Sequence, residues 1–266
     1  MSPVFARFQA VLLALAVLLG SAADQARAQG ADSRRSGFDF MGAATQALQR
    51  DDAQNPAMLW VSDGARRWRD ASAGRACADC HNTAEQSMRG VAARYPAWDD
   101  RLGEPVNLQK RINLCRERHQ AQPPLRSEDD AMLALESYLA MQSRGVPITR
   151  PDDPRLAESL ERGSQLYVTR IGQLSLSCAH CHDQLAGGRL GGSPIPQGHP
   201  TAYPIYRLQW QSAGSLARRL RGCFAGVRAE QLAMDEGADQ PVEPRHVPLG
   251  LEIGRASCRE RVSDTV

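Results

Sequence analysis

Two Cys-x-x-Cys-His units constrain this chain more than any other feature. They are Cys77-Ala78-Asp79-Cys80-His81 and Cys178-Ala179-His180-Cys181-His182. In such a unit the two thiols add to the vinyl groups of a haem, and the adjacent histidine is thereby placed under the iron. A single unit can also be a zinc-ligand pair or a redox dithiol. Two of them in a repeated context predict two covalently bound haem c groups, attached through Cys77, Cys80, Cys178 and Cys181, with His81 and His182 as proximal iron ligands. Disulfides within the units would leave both histidines without a purpose. The total of seven cysteines is odd, and four of the seven lie in the two units.

Haem attachment of this kind is chemistry of an exported chain, and the N-terminus reads accordingly. Arg7 gives a basic start, Ala10 to Leu19 is an unbroken apolar run, and Ala26-Arg27-Ala28 supplies small residues at alternating positions. This is the layout of a secretory signal, and the run is too short to span a hydrocarbon core of about 30 Å. Cleavage is expected after Ala28, and the periplasm is the expected location, with no membrane span elsewhere. A formal charge of +2 argues against a nucleic-acid or anionic-membrane partner. Aromatic residues make up only 5% of the chain, so the core needs another filler, and a haem is a large flat apolar one.

The chain also repeats itself. Each half carries a Cys-x-x-Cys-His unit, a gap, and then an arginine four residues before a lone cysteine. These are His81, Arg111 and Cys115 in the first half, and His182, Arg219 and Cys223 in the second, with 34 and 41 residues between histidine and cysteine. The expected fold is mainly α, with two tandem cytochrome c-like domains related by duplication, spanning about 56–150 and 151–230. Residues 29–55 are polar and read as a mobile lead-in or partner-facing arm. The clearest helix is predicted over Ser127 to Arg144, capped by Ser127 with Asp130 three residues on, and stopped by Gly145. A second helical stretch is predicted from Pro154 to Thr169. Residues Glu252 to Val262 read as a translated sequencing adapter. The natural C-terminus is therefore expected to be lost beyond about Glu230, and Cys258 to have no role.

Each iron needs a sixth ligand or an open site. Met132 and Met141 lie 51 and 60 residues after His81, and Met234 follows the second motif, but packing is the stronger reading for the first two. The lone Cys115 and Cys223 are better distal candidates, because a thiolate is a strong donor to iron. A Cys115–Cys223 disulfide and two inert buried thiols are the alternatives. In a helix Arg111 and Arg219 share a face with the cysteine four residues on and could hold it as an anion. For Arg219, within Arg218-Arg219-Leu220-Arg221, a solvated basic face is the rival reading. His180 and His199 read as polar neighbours rather than ligands.

Several of these stretches resemble the SoxA family, the dihaem cytochrome subunits of SoxAX complexes in the thiosulfate-oxidising Sox pathway. They are Cys178 to Gln184, Gly187 to Gly192, Gln197-Gly198-His199-Pro200, Tyr203-Pro204-Ile205-Tyr206-Arg207 and Ser215 through Cys223, with Arg111 to Arg116 in the first half. The resemblance covers about residues 40 to 230. It implies His/Cys ligation of both irons, by His81 with Cys115 and by His182 with Cys223. It makes Cys223 the active-site cysteine, found in the family as a persulfide, and Arg219 the active-site arginine. It implies an L-cysteine S-thiosulfotransferase that joins thiosulfate oxidatively to a cysteine of a SoxYZ-like carrier. The implied partners are a SoxX-like monohaem cytochrome c and a cytochrome c that accepts the electrons. A dihaem electron carrier with no substrate of its own and a dihaem peroxidase-like enzyme are the rival functions.

Overall fold

The computed structural model describes residues 35–148, 151–200 and 203–230, together with the backbone of Glu260 and Arg261. The signal segment, Met234 and the adapter-like tail with Cys258 lie outside the described residues, apart from the Glu260–Arg261 backbone.

Ser36 opens the described chain by accepting a hydrogen bond from the Phe38 N–H, which starts a 3₁₀ turn over Gly37–Phe40. Phe38 is buried, and Arg50 lies over its ring at 4.6 Å. Helix α1 spans Ala43–Arg50. Asp52, in the stretch expected as a lead-in or partner-facing arm, accepts two bonds of 2.8 Å from Arg144.

Helix α2 (Met58–Trp68) follows from apolar residues at helical spacing: Met58, Val61, Ala65 and Trp68 all face the core. Short helices α3 (Ala78–His81) and α4 (Ala84–Ser87) come next, then the hairpin of β1 (Ala97–Asp99) and β2 (Glu104–Val106). Asn107 caps helix α5 (Leu108–Gln120) by accepting from the Lys110 N–H at 2.7 Å. Helix α6 spans Asp130–Met141 and lies against α2. The expected cap at Ser127 is corrected: residues 127–128 form a turn, and Asp129 is the N-cap. The helix ends at Met141 with Gln142 as its C-cap, three residues short of the expected end at Arg144; a turn then leads to Gly145, with φ +78°. Val61, Trp68, Ile112, Met132, Leu135, Tyr138 and Leu139 form one core, with Met132 fully buried. Packing is therefore the role of Met132.

Strand β3 (Pro147–Ile148) begins the passage to the second half. Asp153 caps a 3₁₀ turn over Pro154–Leu156 that runs into helix α7 (Ala157–Val168). Helix α8 (Cys178–His182) carries the second motif. Two hairpins follow: β4 (Arg189–Leu190) with β5 (Ser193–Pro194), then β6 (Ile205–Arg207) with β7 (Ser212–Gly214). Ser215 caps helix α9 (Leu216–Gly226), and β8 (Glu260–Arg261) pairs with β3. One core cluster of this half has Phe224 buried among half-buried Leu166, Tyr167, Ile171, Ala217 and Leu220; Leu156, Leu160, Ile195 and Ala213 are buried as well. Among the described residues no helix is long and apolar enough to cross a membrane.

The halves meet in specific contacts. Tyr206 of β6 packs on Trp60 of α2 with ring centroids 5.8 Å apart. Glu128, just before α6, accepts a hydrogen bond from the Ser215 hydroxyl and lies 3.7 Å from Arg221.

Candidate functional site

The segment leading to each lone cysteine is built the same way. A Tyr-Pro pair precedes a hairpin, a polar cap follows it, and the next helix holds arginine four and cysteine eight residues after the cap. The first instance is Tyr95-Pro96, β1–β2, Asn107, Arg111 and Cys115. The second is Tyr203-Pro204, β6–β7, Ser215, Arg219 and Cys223. The hairpins share one register: Ala97 faces Val106 and Asp99 faces Glu104, as Ile205 faces Gly214 and Arg207 faces Ser212.

In the second half α8 and α9 bring His182 and Cys223 together. One ring nitrogen of His182, Nδ1, lies 2.8 Å from the Pro196 carbonyl. A carbonyl only accepts, so Nδ1 carries the proton and Nε2 presents its lone pair, the tautomer an iron-ligating histidine requires. Gly198 lies close by: a Cβ there would stand 3.2 Å from the His182 Cβ and 3.0 Å from the Tyr167 hydroxyl oxygen. Cys178 and Cys181 occupy one turn of α8 as free thiols.

Electrostatics single out Cys223. Burial works to raise its thiol, but the neighbouring His182 and the charges of Arg219 and Arg207 outweigh burial and hold it below its ordinary value. Arg219 has no carboxylate partner among the described residues. Its basic neighbours are otherwise engaged: Arg218 stacks on Trp210 at 4.3 Å and Arg221 faces Glu128. The run is therefore not one solvated face, since each arginine meets a different group.

The first half gathers the same residue types with another balance. Cys115 stands near Cys77 and Cys80, and Gln120 donates to the Cys77 sulfur at 3.6 Å. His81 packs against Trp68 with centroids 5.7 Å apart, and the Trp68 indole donates to the Asn82 carbonyl at 2.9 Å. Burial raises the Cys115 thiol despite Arg111. Asp99 adds a smaller push in the same direction; it takes a 2.7 Å bond from Arg111 and bonds of 3.0 and 3.2 Å from Arg118. Arg111 acts on Cys115 in the expected direction, but burial outweighs it.

All six described cysteines are free, so the Cys115–Cys223 disulfide is not formed. His180 is a capping residue: its Nδ1 accepts from the Ser177 N–H at 3.1 Å and lies 2.6 Å from the Ser177 hydroxyl. The sequence reading left Asp99, the Pro196 carbonyl and Arg207 without a role. The Tyr-Pro pairs placed at one constant offset from the arginines were the available signal for Asp99 and Arg207.

Comparison with known proteins agrees with this geometry. Residues 63–148 match the family described as SoxA/TsdA, cytochrome c domain. The chain is 37% identical over 202 residues to the L-cysteine S-thiosulfotransferase subunit SoxA of Pseudaminobacter salicylatoxidans, covering 75% of this chain and 71% of the relative. It is 33% identical over 205 residues to the corresponding subunit of Rhodovulum sulfidophilum, covering 76% and 71%. The crystal structure of SoxXA from P. pantotrophus superposes with a TM-score of 0.77 at 31% identity, covering 86% of this chain and 84% of that one.

Proposed function

Because the chain belongs to the SoxA family, we propose that it is the catalytic haem subunit of a thiosulfate-oxidising complex, with Cys223 as the reacting sulfur and Arg219 as its anion-binding partner. The observation that carries this reading is the opposition of His182 and Cys223, with an uncompensated Arg219 one helical turn before the thiol.

The cytochrome c-like fold implies haem c. The residues would hold two such groups, one attached through Cys77 and Cys80 with His81 and Cys115 as iron donors, the other through Cys178 and Cys181 with His182 and Cys223 as iron donors. Support for the second comes from the His182 tautomer fixed by Pro196. The matching hairpin registers and cap-to-cysteine spacings support two domains related by duplication, divided near residue 150.

In the proposed reaction a thiol of a SoxYZ-like carrier and the outer sulfur of thiosulfate become bonded: carrier–SH + S₂O₃²⁻ → carrier–S–S–SO₃⁻ + H⁺ + 2e⁻. Arg219 draws the dianion to the site and orients its negative end. Cys223, kept toward its anionic form, presents the sulfur against which thiosulfate is placed. Bound haem supplies one-electron redox capacity beside that sulfur. The partners in this reading are a SoxX-like monohaem cytochrome, the carrier and a cytochrome c acceptor, all in the periplasm.

Substituting Cys223→Ser in the matured complex tests the reading. Thiosulfate- and carrier-dependent reduction of cytochrome c should be lost while covalently bound haem is kept. Unchanged turnover would mark the chain as an electron carrier without a substrate.

A further inference from the structure

The two hairpins differ at one position in a way that reverses local charge. Asp99 ends β1 and faces Glu104; Arg207 ends β6, in the same register, and faces Ser212. Asp99 is 4% exposed and is saturated by Arg111 and Arg118. In the second half the residue matching Arg111 is Arg219, and the register place of Arg118 falls to Gly226. The first half therefore has two guanidiniums closed on one carboxylate. The second has two guanidiniums, Arg207 and Arg219, with no carboxylate paired to either among the described residues.

Arg207 is also held in place. Its guanidinium lies over the Trp210 ring at 5.3 Å, and Arg218 stacks on the same ring at 4.3 Å. Gly214 makes room for that ring: a Cβ there would stand 2.5 Å from Trp210 Cζ3, whereas the register partner in the first half is the fully buried Val106. Tyr206 faces the other way onto Trp60, so strand alternation puts Arg207 on the face that Asp99 takes in the first half, where Asp99 meets Arg111, the counterpart of Arg219.

We propose that Arg207 is the second cation of a two-point site for a doubly charged sulfur oxyanion at Cys223, with Arg219 as the first. Burial and the Arg219 charge both disfavour the charged form of Arg207, and a small dianion held between the two relieves that repulsion where a monoanion does so only in part. Arg207 thus sets specificity for charge. This inference rests on Cys223 being the reaction centre.

The test uses the matured, haem-loaded complex and unreactive anions. Arg207→Gln should raise the KM for thiosulfate about tenfold or more and weaken sulfate inhibition by a similar factor, with kcat within about threefold and an unchanged Soret spectrum. Arg207→Lys should fall between parent and Arg207→Gln. In the parent, sulfate should inhibit far more strongly than nitrate at matched ionic strength, and Arg207→Gln should narrow that gap. An unchanged KM and sulfate inhibition in Arg207→Gln overturns the proposal, as does equal inhibition of the parent by sulfate and nitrate. The second comparison needs no variant to fold. Sulfate binding measured by calorimetry needs no turnover. Arg207-dependent binding in a complex that does not use thiosulfate would keep the anion site and remove the catalytic reading.

Discussion

Arg111 donates a 2.7 Å hydrogen bond to Asp99, so the arginine one turn before Cys115 is already neutralised. Its counterpart Arg219 meets no carboxylate among the described residues. Burial raises the Cys115 thiol above its ordinary value, whereas His182, Arg219 and Arg207 outweigh burial at Cys223 and lower it. Similar residues at equal spacing give one closed ion cluster and one site open to an anion.

The Asp99 cluster should show in the acid unfolding of the protein. Bonds from Arg118, the Leu102 N–H and Arg111 hold the Asp99 carboxyl well below the carboxylate range, against the cost of its desolvation. The native state therefore binds its proton more weakly than the unfolded chain does. The stability this gives is present above the unfolded value of about 3.9 and is lost as pH falls toward the depressed native one. Asp99→Asn should lower Tm at pH 7 and leave a smaller difference from the parent near pH 2. Thermal melts across that range check it, and a constant difference would count against the cluster.

Glu136 should behave with the opposite sign. Burial pushes its carboxyl up to about 8, aided by the charge of Glu128, although it accepts a 2.6 Å bond from Gln109. Here the native state keeps a proton that the unfolded chain releases above about 4.3. The contribution is intact below that value, declines as pH rises and levels off near 8. Glu136→Gln keeps an acceptor for Gln109 and removes the ionisation. The variant should match the parent near pH 4 and exceed it by on the order of 1–3 kcal/mol at pH 8. Denaturant melts at the two pH values measure the difference, and an equal offset at both would refute the assignment.

How much of this was legible in the sequence depended on range. The Cys-x-x-Cys-His units, the arginine–cysteine spacing and helix α6 are local patterns, legible in the sequence itself. The α6 cap was not. Ser127 looks like a cap locally, yet its carbonyl is taken by Gln109 from α5, and the helix starts after Asp129. Asp99 meets Arg118 from another element, and Pro196 contributes only a backbone carbonyl, which no side-chain pattern reveals. Arg207 was visible as part of a motif, but its meaning required the register it shares with Asp99.

The contact of α2 with α6 should tolerate no side chain at Gly64. A Cβ there would overlap the Ala134 carbonyl oxygen and stand 2.6 Å from the Tyr138 Cβ. Backbone cannot swing aside as a side-chain tip can, so Gly64→Ala must push the helices apart, at a cost of about 1–3 kcal/mol or more from overpacking. Tyr138 also donates to Glu85 at 2.8 Å and packs edge-on against Trp68, which backs His81. The variant should therefore lose stability and change the near-ultraviolet signal of Trp68 together. A melt with no loss would show that the helices can separate freely.

Arg219→Ala should separate anion binding from haem assembly. Arg219 neither attaches haem nor ligates iron in the proposed site, and its removal leaves the Pro196–His182 bond and the thiols of α8 in place. What it removes is the charge that acts on Cys223 and on an incoming dianion. Losing one charge-assisted contact costs about 1.5–3 kcal/mol, or roughly ten- to a hundredfold in kcat/KM. The visible spectrum and the covalently bound haem should match the parent. Rescue by added guanidinium, which refills the deleted position, would identify charge at that point as the missing element. If kinetics are unchanged in Arg219→Ala, the cationic mouth of the site must be assigned to other residues, and Arg207 alone would have to carry it.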